Sequence, residues 1–330
     1  MIDRRRALLA GGAALAGAMI GVPARAAASV GTLRVASLRF GSLSWVLETI
    51  KAEGIAEDLG LNLEILDVAT NQAGPVALLS GEADVIISDW MWALRQRGLG
   101  EKLKFAPYSA ALGAVMVPKD SEIAKLADLE GKKLGVAGGP IDKSWLLLRA
   151  YTRNVLGKDL DQMVRPAFGA APLLTEEIRG GRIDAVLNFW TYSARLEGGG
   201  YHKVLGMEEV LKELGVDPVP SLVGFVWRQE TEAEKGPAVA AFLDAVAKAN
   251  EVLRTSDSAW ERIRDLVKPK DDAELAAIKA YYRSGIPEPW SPAETRAAQK
   301  LTEVLREAGG GALLGEGTAF DPKLFHAAGS

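Results

Sequence analysis

The sequence predicts an α/β protein of two domains with a helical C-terminal segment, on three observations. Between residues 32 and 189, short apolar runs alternate with amphipathic segments of helical period, which is typical of α/β units with parallel strands. From residue 237 onward the pattern is almost entirely helical. The length of 330 residues suits two domains, because one domain usually takes roughly 100–200 residues.

In the first block, the signals at the ends of elements are specific. Pro75 suits the first turn of a helix that Gly81 ends, and Asp89 is placed to cap the helix that follows it. The β-branched run at residues 85–87 is typical of a strand buried on both faces. Strands are predicted at residues 32–37, 61–68, 83–88, 104–108 and 112–117, and helices at residues 45–57, 76–79 and 90–97.

The second block repeats the alternation, and a last strand is expected to return to the first domain. Gly157 ends one helix, and Ser291, Pro292 and Glu294 form the capping box of the last one. Strands are predicted at residues 132–137, 164–168, 183–189 and 221–228. Helices are predicted at residues 143–156, 173–179, 238–254, 259–267, 273–284 and 293–308.

Residues 1–26 are interpreted as an export signal, which predicts a periplasmic protein. Arginines at positions 4–6 precede a weakly apolar run at residues 7–22, and Ala-Arg-Ala at residues 24–26 is a suitable cleavage site. The run of 16 residues is shorter than the roughly 20 that span a bilayer. The consecutive arginines resemble a twin-arginine signal. An uncleaved membrane anchor is the alternative.

Composition disfavours several classes of function. The net charge is −4, with no basic block after the N-terminus, which argues against a nucleic-acid partner. The chain has no cysteine, so it forms no disulfide, thiolate metal site, iron–sulfur cluster or cysteine nucleophile. Its two histidines, His202 and His326, suit neither a ligand pair nor a Ser-His-Asp triad. We therefore predict no catalytic residue, no metal and no cofactor, and a protein that is not an enzyme.

Three segments point to a family: LSGEAD at residues 79–84, LADLEGKKLGV at 126–136 and EIRGGRIDA at 177–185. In order and spacing, they resemble periplasmic ABC-transporter solute-binding proteins of the nitrate/sulfonate/taurine type, over residues 32–230. The resemblance implies the two-lobed type II periplasmic-binding-protein fold, with two crossing hinge strands and a ligand cleft between the lobes. Lobe 1 is then expected at residues 27–118 and 222–330, and lobe 2 at residues 119–221. The helical tail is expected to pad lobe 1.

The candidate ligand-binding residues are those that directly follow the strands, because ligands of open parallel sheets bind beyond the carboxyl ends of the strands. Five of the eight tryptophans fall there, and an indole face suits planar or cationic ligands. Packing between sheet and helix is the alternative for each of them. The candidates are Arg39, Ser42, Ser44, Trp45, Ser88, Asp89, Trp90, Gly138, Gly139, Ser144, Asn188, Trp190 and Tyr192.

Two features make opposite predictions about the charge of the ligand. A carboxylate of Asp89 in the cleft favours a cation or a hydrogen-bond donor, unless Asp89 only caps its helix. The predicted helix N-termini near Ser42 and Ser144 favour an anionic or carbonyl group, and Arg39 offers a fork for the same anion. Together these features favour a small polar ligand, aromatic or zwitterionic, over an inorganic anion.

The resemblance implies the extracytoplasmic solute-binding component of an ABC importer. Its expected partners are a small-molecule ligand and the permease and ATPase subunits at the inner membrane, and we expect a monomer. Two alternatives stay open. One is an exported binding protein that serves a periplasmic enzyme or a sensor. The other is an enzyme similar to the pyrimidine-precursor synthases of the same fold, a family that depends on a cysteine-rich iron motif that this chain lacks.

Overall fold

The computed structural model describes residues 28–39, 41–70, 72–309, 311–315 and 317–326. The interpreted export signal at residues 1–26 lies outside these ranges. The described chain is an α/β protein built on two mixed sheets of five strands each, as the sequence predicts. We call the elements packed around each sheet the first and the second lobe. No helix in the described ranges has the length and apolar character that crossing a membrane requires.

The N-terminal part of the chain builds most of the first sheet. Its elements are β1 (Gly31–Leu38), α1 (Ser42–Ala52), α2 (Ile55–Asp58), β2 (Leu61–Val68), α3 (Ala73–Ser80), β3 (Val85–Asp89), α4 (Trp90–Gly98) and β4 (Leu103–Ser109). β1 lies between β2 and β3 in parallel register, with Val35 opposite both Ile65 and Val85. The helix predicted at 45–57 is two helices, because Gly54 takes a left-handed conformation with φ of 68° and interrupts it.

The next part of the chain builds the second sheet. Its elements are β5 (Ala114–Val117), a 3-10 turn (Leu126–Leu129), β6 (Lys133–Ala137), α5 (Lys143–Leu156), α6 (Leu160–Met163), β7 (Arg165–Gly169), α7 (Ala171–Arg179), β8 (Ala185–Asn188), α8 (Trp190–Gly198), β9 (His202–Gly206) and α9 (Met207–Glu213). The strand order is β7-β6-β8-β5-β9. β5 thus lies in the second sheet, although the expected lobe boundary put residues up to 118 in the first lobe. Both faces of β5 are buried, so its sequence does not distinguish one sheet from the other.

The chain then returns to the first sheet and ends in helices. The elements are β10 (Val223–Arg228), α10 (Gln229–Thr255), α11 (Asp257–Arg262), α12 (Arg264–Val267), α13 (Asp272–Ser284), α14 (Pro292–Glu307), α15 (Gly311–Leu314) and a 3-10 turn (Pro322–Leu324). β10 runs antiparallel between β3 and β4, which confirms the predicted return. The capping box of Ser291 and Glu294 is present.

The C-terminal helices contact the second lobe as well as the first lobe, which they are expected to pad. α13 packs along α8 of the second lobe, and α14 packs on α5. Arg195 of α8 donates hydrogen bonds to the carboxylate of Glu274 and to the backbone oxygen of Val267, the latter at 2.6 Å. A Cβ atom at Gly198 would lie 2.5 Å from Cα of Glu274, so the two helices touch through their backbones. The tail therefore braces the second lobe against the first.

A buried carboxylate ties the first sheet to this tail. Asp84 accepts hydrogen bonds from Nη2 of Arg34 at 2.7 Å and from Nζ of Lys235 at 2.8 Å. Burial acts to raise the pKa of Asp84, but the hydrogen bonds from Arg34 and Lys235 outweigh it and hold that pKa below its usual value. Asp84 is therefore a structural residue, as its place before a buried strand predicts.

This network predicts an acid-labile contribution to stability. The contribution of Asp84 is complete above the pKa of an unfolded aspartate, about 3.9, and is lost as the pH falls through the lower folded-state pKa. We expect Asp84→Asn to be less stable than the wild type at neutral pH and to lose less stability between about pH 5 and about pH 1. Urea unfolding across that range measures both effects. Parallel stability curves for the two proteins would contradict the assignment.

Candidate functional site

A pocket lies at the carboxyl edge of the first sheet, where β1 to β4 end. Its volume is about 180 Å³, and we call it the inner pocket. The first lobe supplies nearly all of its wall, and Trp190 of α8 closes it from the second lobe. Much of the wall is apolar, from Ala36, Leu38, Leu43, Val68, Ile87 and Val223. Parallel strands end at the same edge of a sheet, which is why these positions converge.

Several hydroxyl groups line the inner pocket. The Tyr108 hydroxyl donates a hydrogen bond to Oγ of Ser42 at 2.9 Å, and Thr70 and Ser109 also line the pocket. Burial raises the pKa of Tyr108 well above its usual value, so its phenol stays protonated. No charged side chain from the described residues lines the inner pocket. The site therefore suits an uncharged or weakly polar group.

A larger cleft of about 610 Å³ opens from the inner pocket toward solvent, and we call it the outer cleft. It shares Ile87 and Trp190 with the inner pocket, so the two spaces lie side by side. The first lobe contributes Ser88, Asp89 and Trp92, and the second lobe contributes Asp142, Lys143 and Ser144. Among the described residues, no cluster of acidic and histidine side chains is arranged to hold a metal ion.

Asp89 caps α4 and also lines the outer cleft. Helix capping and a position in the cleft, which the sequence analysis treated as alternatives, are therefore both present. Oδ1 of Asp89 accepts from the backbone N–H of Trp92 at 2.9 Å, which caps α4. Its Oδ2 lies 3.3 Å from Nζ of Lys143, across the cleft. Lys143 thus balances the charge of Asp89, and the pair alone selects neither a cation nor an anion.

Trp190 is held by aromatic residues of the first lobe and the tail. Its ring lies 6.1 Å from the ring of Trp45 in a T-shaped contact, and 6.4 Å from the ring of Tyr282. Trp45 is only 4% exposed and does not line the pocket. Its role is to support Trp190 from behind, since a packed indole loses little freedom on binding a ligand.

The structure brings five of the candidates from the sequence together. Ser42 lies in the inner pocket, Trp190 lies in both spaces, and Ser88, Asp89 and Ser144 lie in the outer cleft. The remaining candidates do not line either space: Arg39, Ser44, Trp45, Trp90, Gly138, Gly139, Asn188 and Tyr192.

Three candidates of the first lobe lie away from both spaces. Arg39 is exposed and pairs with Asp67 at 3.4 Å. The Ser44 hydroxyl donates to the backbone oxygen of Gly41 at 2.7 Å, on the outer side of α1. Trp90 begins α4 with its side chain in the core, against the ring of Phe325 at 5.9 Å.

The four candidates of the second lobe outside the cleft have structural roles. Asn188 is buried, and its Nδ2 donates to Oγ1 of Thr175 at 3.0 Å. Gly138 has a φ of 93°, and it forms with Gly139 the turn before α5. Tyr192 packs on an apolar cluster of the second lobe.

The sequence analysis missed Tyr108, Thr70, Lys143 and Trp92 as cleft residues. Tyr108 and Ser109 end β4, which is parallel to β3 because both are antiparallel to β10. The rule that points to the carboxyl ends of strands was therefore sufficient to find them. Lys143 begins α5 directly before the candidate Ser144. Trp92 lies two residues beyond Trp90 and faces the outer cleft instead of the core.

The sequence matches the NMT1/THI5-like family over residues 51–256, which is more than half of the chain. A search of proteins of curated function found no match. Solved structures of similar fold include both binding proteins and an enzyme.

One of these structures is the periplasmic aliphatic sulphonate binding protein SsuA from Escherichia coli, with a TM-score of 0.70 and 16% identity, covering 90% of this chain and 92% of that one. Another is the alkanesulfonate-binding protein SsuA from Xanthomonas axonopodis pv. citri, with a TM-score of 0.66 and 16% identity, covering 91% of this chain and 99% of that one. A third is the desulfurization enzyme DSZB, with a TM-score of 0.59 and 15% identity, covering 88% of this chain and 95% of that one. The resemblance predicted from the sequence is confirmed: this chain belongs to the NMT1/THI5-like family and shares the fold of the periplasmic sulfonate-binding SsuA proteins.

Proposed function

We propose that this protein is the extracytoplasmic solute-binding component of an ABC importer. It captures a small polar ligand, aromatic or zwitterionic, in the cleft between its lobes. The observation that carries the proposal is the pair of adjoining spaces at the carboxyl edge of the first sheet, both of which Trp190 of the second lobe lines. The SsuA proteins of the same fold are named for sulfonate binding, which supports a transport role for this chain.

Capture proceeds by closure of the lobes over the ligand. The lobes are joined by residues 110–113 and 214–222, between the strands of the two sheets. The ligand enters through the outer cleft and packs its inner group against the first lobe and Trp190. Because α13 packs along α8, closure requires these helices to slide on each other as well as bending of the two connections.

The closed form presents a different surface to the membrane than the open form does, and this difference signals that a ligand is present. The partners of the proposal are therefore the permease and ATPase subunits at the inner membrane. The proposed location is the periplasm, because residues 1–26 have the sequence pattern of an export signal. A monomer is sufficient for binding because both walls of the cleft come from one chain.

The arrangement of side chains supports binding without chemistry. The chain has no cysteine, and neither histidine lines the inner pocket or the outer cleft. His202 begins β9 and is exposed, while the ring of His326 lies 5.3 Å from the ring of Trp227. The hydroxyl groups of the inner pocket thus have no imidazole beside them to act as the general base of a serine nucleophile.

The alternative of a binding protein that serves a periplasmic enzyme or sensor shares this cleft and differs only in its partner. Cross-linking in the envelope of the host separates the two, since transport predicts capture of a permease subunit. Capture of an enzyme or a sensor instead would favour the alternative.

Native mass spectrometry of the protein isolated from its own host tests the binding function. We expect one small molecule per chain, which is released on unfolding and has the same mass before and after it binds again. A protein that carries no ligand and binds none of the small molecules of its host extract would contradict the proposal. A released molecule that the protein converts to another compound would also contradict it.

A further inference from the structure

We propose that Tyr108 is a specificity-determining residue that turns the Ser42 hydroxyl into a hydrogen-bond donor aimed into the inner pocket. The group of the ligand that enters this pocket is then an uncharged hydrogen-bond acceptor carried on a ring-sized body. This inference rests on the proposed binding function and names the chemistry of its ligand.

The hydrogen bond between Tyr108 and Ser42 has a defined direction. The Tyr108 hydroxyl lies 2.9 Å from Oγ of Ser42 and donates to it. Its ring is 6% exposed and is fixed by an edge contact with Phe225 at 5.3 Å. Burial raises the pKa of this phenol, so Tyr108 keeps the proton that it donates to Ser42.

The hydrogen bond from Tyr108 does not use the proton of the Ser42 hydroxyl. A serine hydroxyl has one proton, and its oxygen accepts from other donors. Among the described residues, nothing accepts the proton of Ser42, whereas the neighbouring Ser44 gives its proton to the backbone oxygen of Gly41 at 2.7 Å. Ser42 lines the inner pocket. Its free proton is therefore offered to a bound ligand, which must supply an acceptor.

The lining of the inner pocket limits the charge of the ligand group that it can hold. No charged side chain of the described residues lines the inner pocket, and Asp89 and Lys143 in the outer cleft are paired with each other. The N-terminus of α1 also lines the pocket, and its backbone N–H groups attract a negatively polarised oxygen. Because no charged side chain supplies a countercharge, burying a full anion there is still unfavourable. A neutral acceptor, such as an amide oxygen or a ring nitrogen, meets the Ser42 hydroxyl without that cost.

The volume of the inner pocket limits the size of the ligand group that it can hold. The inner pocket has a volume of about 180 Å³. An engineered apolar cavity of roughly 150 Å³ holds benzene. The apolar wall and Trp190 therefore accommodate one six-membered ring with a small substituent, and larger parts of the ligand extend into the outer cleft.

Calorimetric titrations with three probes, each built on one benzene ring, test separately the need for an acceptor and the effect of charge. Benzamide carries a neutral acceptor, toluene carries none, and benzenesulfonate carries an anion. We expect benzamide to bind more tightly than the other two. We expect Tyr108→Phe to weaken benzamide about three- to tenfold, the value of one hydrogen bond, and to leave toluene unchanged.

Further variants show whether Tyr108→Phe weakens binding through the Ser42 hydroxyl or through a loss of folded structure. Ser42→Ala should weaken benzamide at least as much as Tyr108→Phe does, because Ser42 carries the proton that Tyr108 orients. The double variant should lose no more than Ser42→Ala alone, because both residues act through the same proton. Tyr192→Phe removes a hydroxyl outside the cleft and should bind benzamide like the wild type. Thermal unfolding shows whether each variant is folded.

Several results would overturn the inference while the binding function stands. Benzenesulfonate binding as tightly as benzamide would show that the pocket accepts an anion. Additive losses for Tyr108→Phe and Ser42→Ala would show that the two hydroxyls act separately. A protein that carries a ligand from its host but binds no probe lacks the proposed ring-sized acceptor site. The absence of any host ligand would instead contradict the proposed function itself.

Discussion

Replacing Trp190 with alanine is expected to weaken binding of the host ligand and of benzamide by roughly 30-fold or more, the effect of losing an aromatic hot spot of about 2 kcal/mol. Trp190 lines both the inner pocket and the outer cleft, and it is the side chain by which α8 closes the inner pocket. Alanine removes this wall and leaves a void against Trp45 and Tyr282. Calorimetric titration of the folded variant measures the loss.

Trp190→Phe is the matched control, because it keeps a ring in contact with Trp45 at the same place. We expect it to retain most of the affinity that Trp190→Ala loses. Trp90→Phe serves as a second control, since Trp90 is buried in the core away from the cleft. Unchanged affinity in Trp190→Ala would show that the ligand binds elsewhere.

Replacing Arg195 with methionine is expected to lower the free energy of unfolding by about 3–5 kcal/mol, the usual cost of breaking a buried ion pair. Glu274 is only 5% exposed in its side chain and would keep a buried charge without its partner. The backbone oxygens of Val267 and Lys268 would also lose the hydrogen bonds that Arg195 donates. Urea unfolding measures the change.

Arg254→Met is the matched control on the surface, because Arg254 and Glu251 form an exposed pair within one helix. We expect it to change stability by less than about 1 kcal/mol. The double variant Arg195→Met with Glu274→Met should recover part of the loss, since no buried charge then remains. Equal losses in Arg195→Met and Arg254→Met would contradict the view that this pair braces the two lobes.

Helix ends that are set by neighbouring residues could be predicted from the sequence. Gly81 and Gly157 end their helices in the left-handed conformation, and Ser291 with Glu294 starts α14 as a capping box. Each of these signals depends on residues within one turn of the helix. For the same reason, the cap at Asp89 could be predicted directly from its position.

Long-range placement could not be predicted in the same way. β5 is a short apolar strand that fits either sheet, and its place between β8 and β9 is fixed only by pairing across the second lobe. The contact of α13 with α8 depends on the arrangement of the whole tail. Amphipathic patterns show that a helix buries one face, but they do not show against which element.

Position along the chain placed five of the candidate residues at the cleft, and side-chain direction kept others, such as Trp90, away from it. Residues that follow strands do converge on the cleft, and this rule found Ser42, Asp89 and Trp190. It failed for Trp90 because the first turn of α4 points that indole into the core, while Trp92 faces the outer cleft. The rotation of a helix about its axis is set by packing, which the spacing of strands does not reveal.

Titrating the stripped protein with the molecule that it releases tests most directly whether the space between the lobes holds a solute and leaves it intact. We predict saturation at one molecule per chain, a more compact particle in small-angle scattering, and recovery of the same compound after release. Trp190→Ala should remove all of these effects at the same concentration. Conversion of the compound, or full binding by Trp190→Ala, would contradict this account.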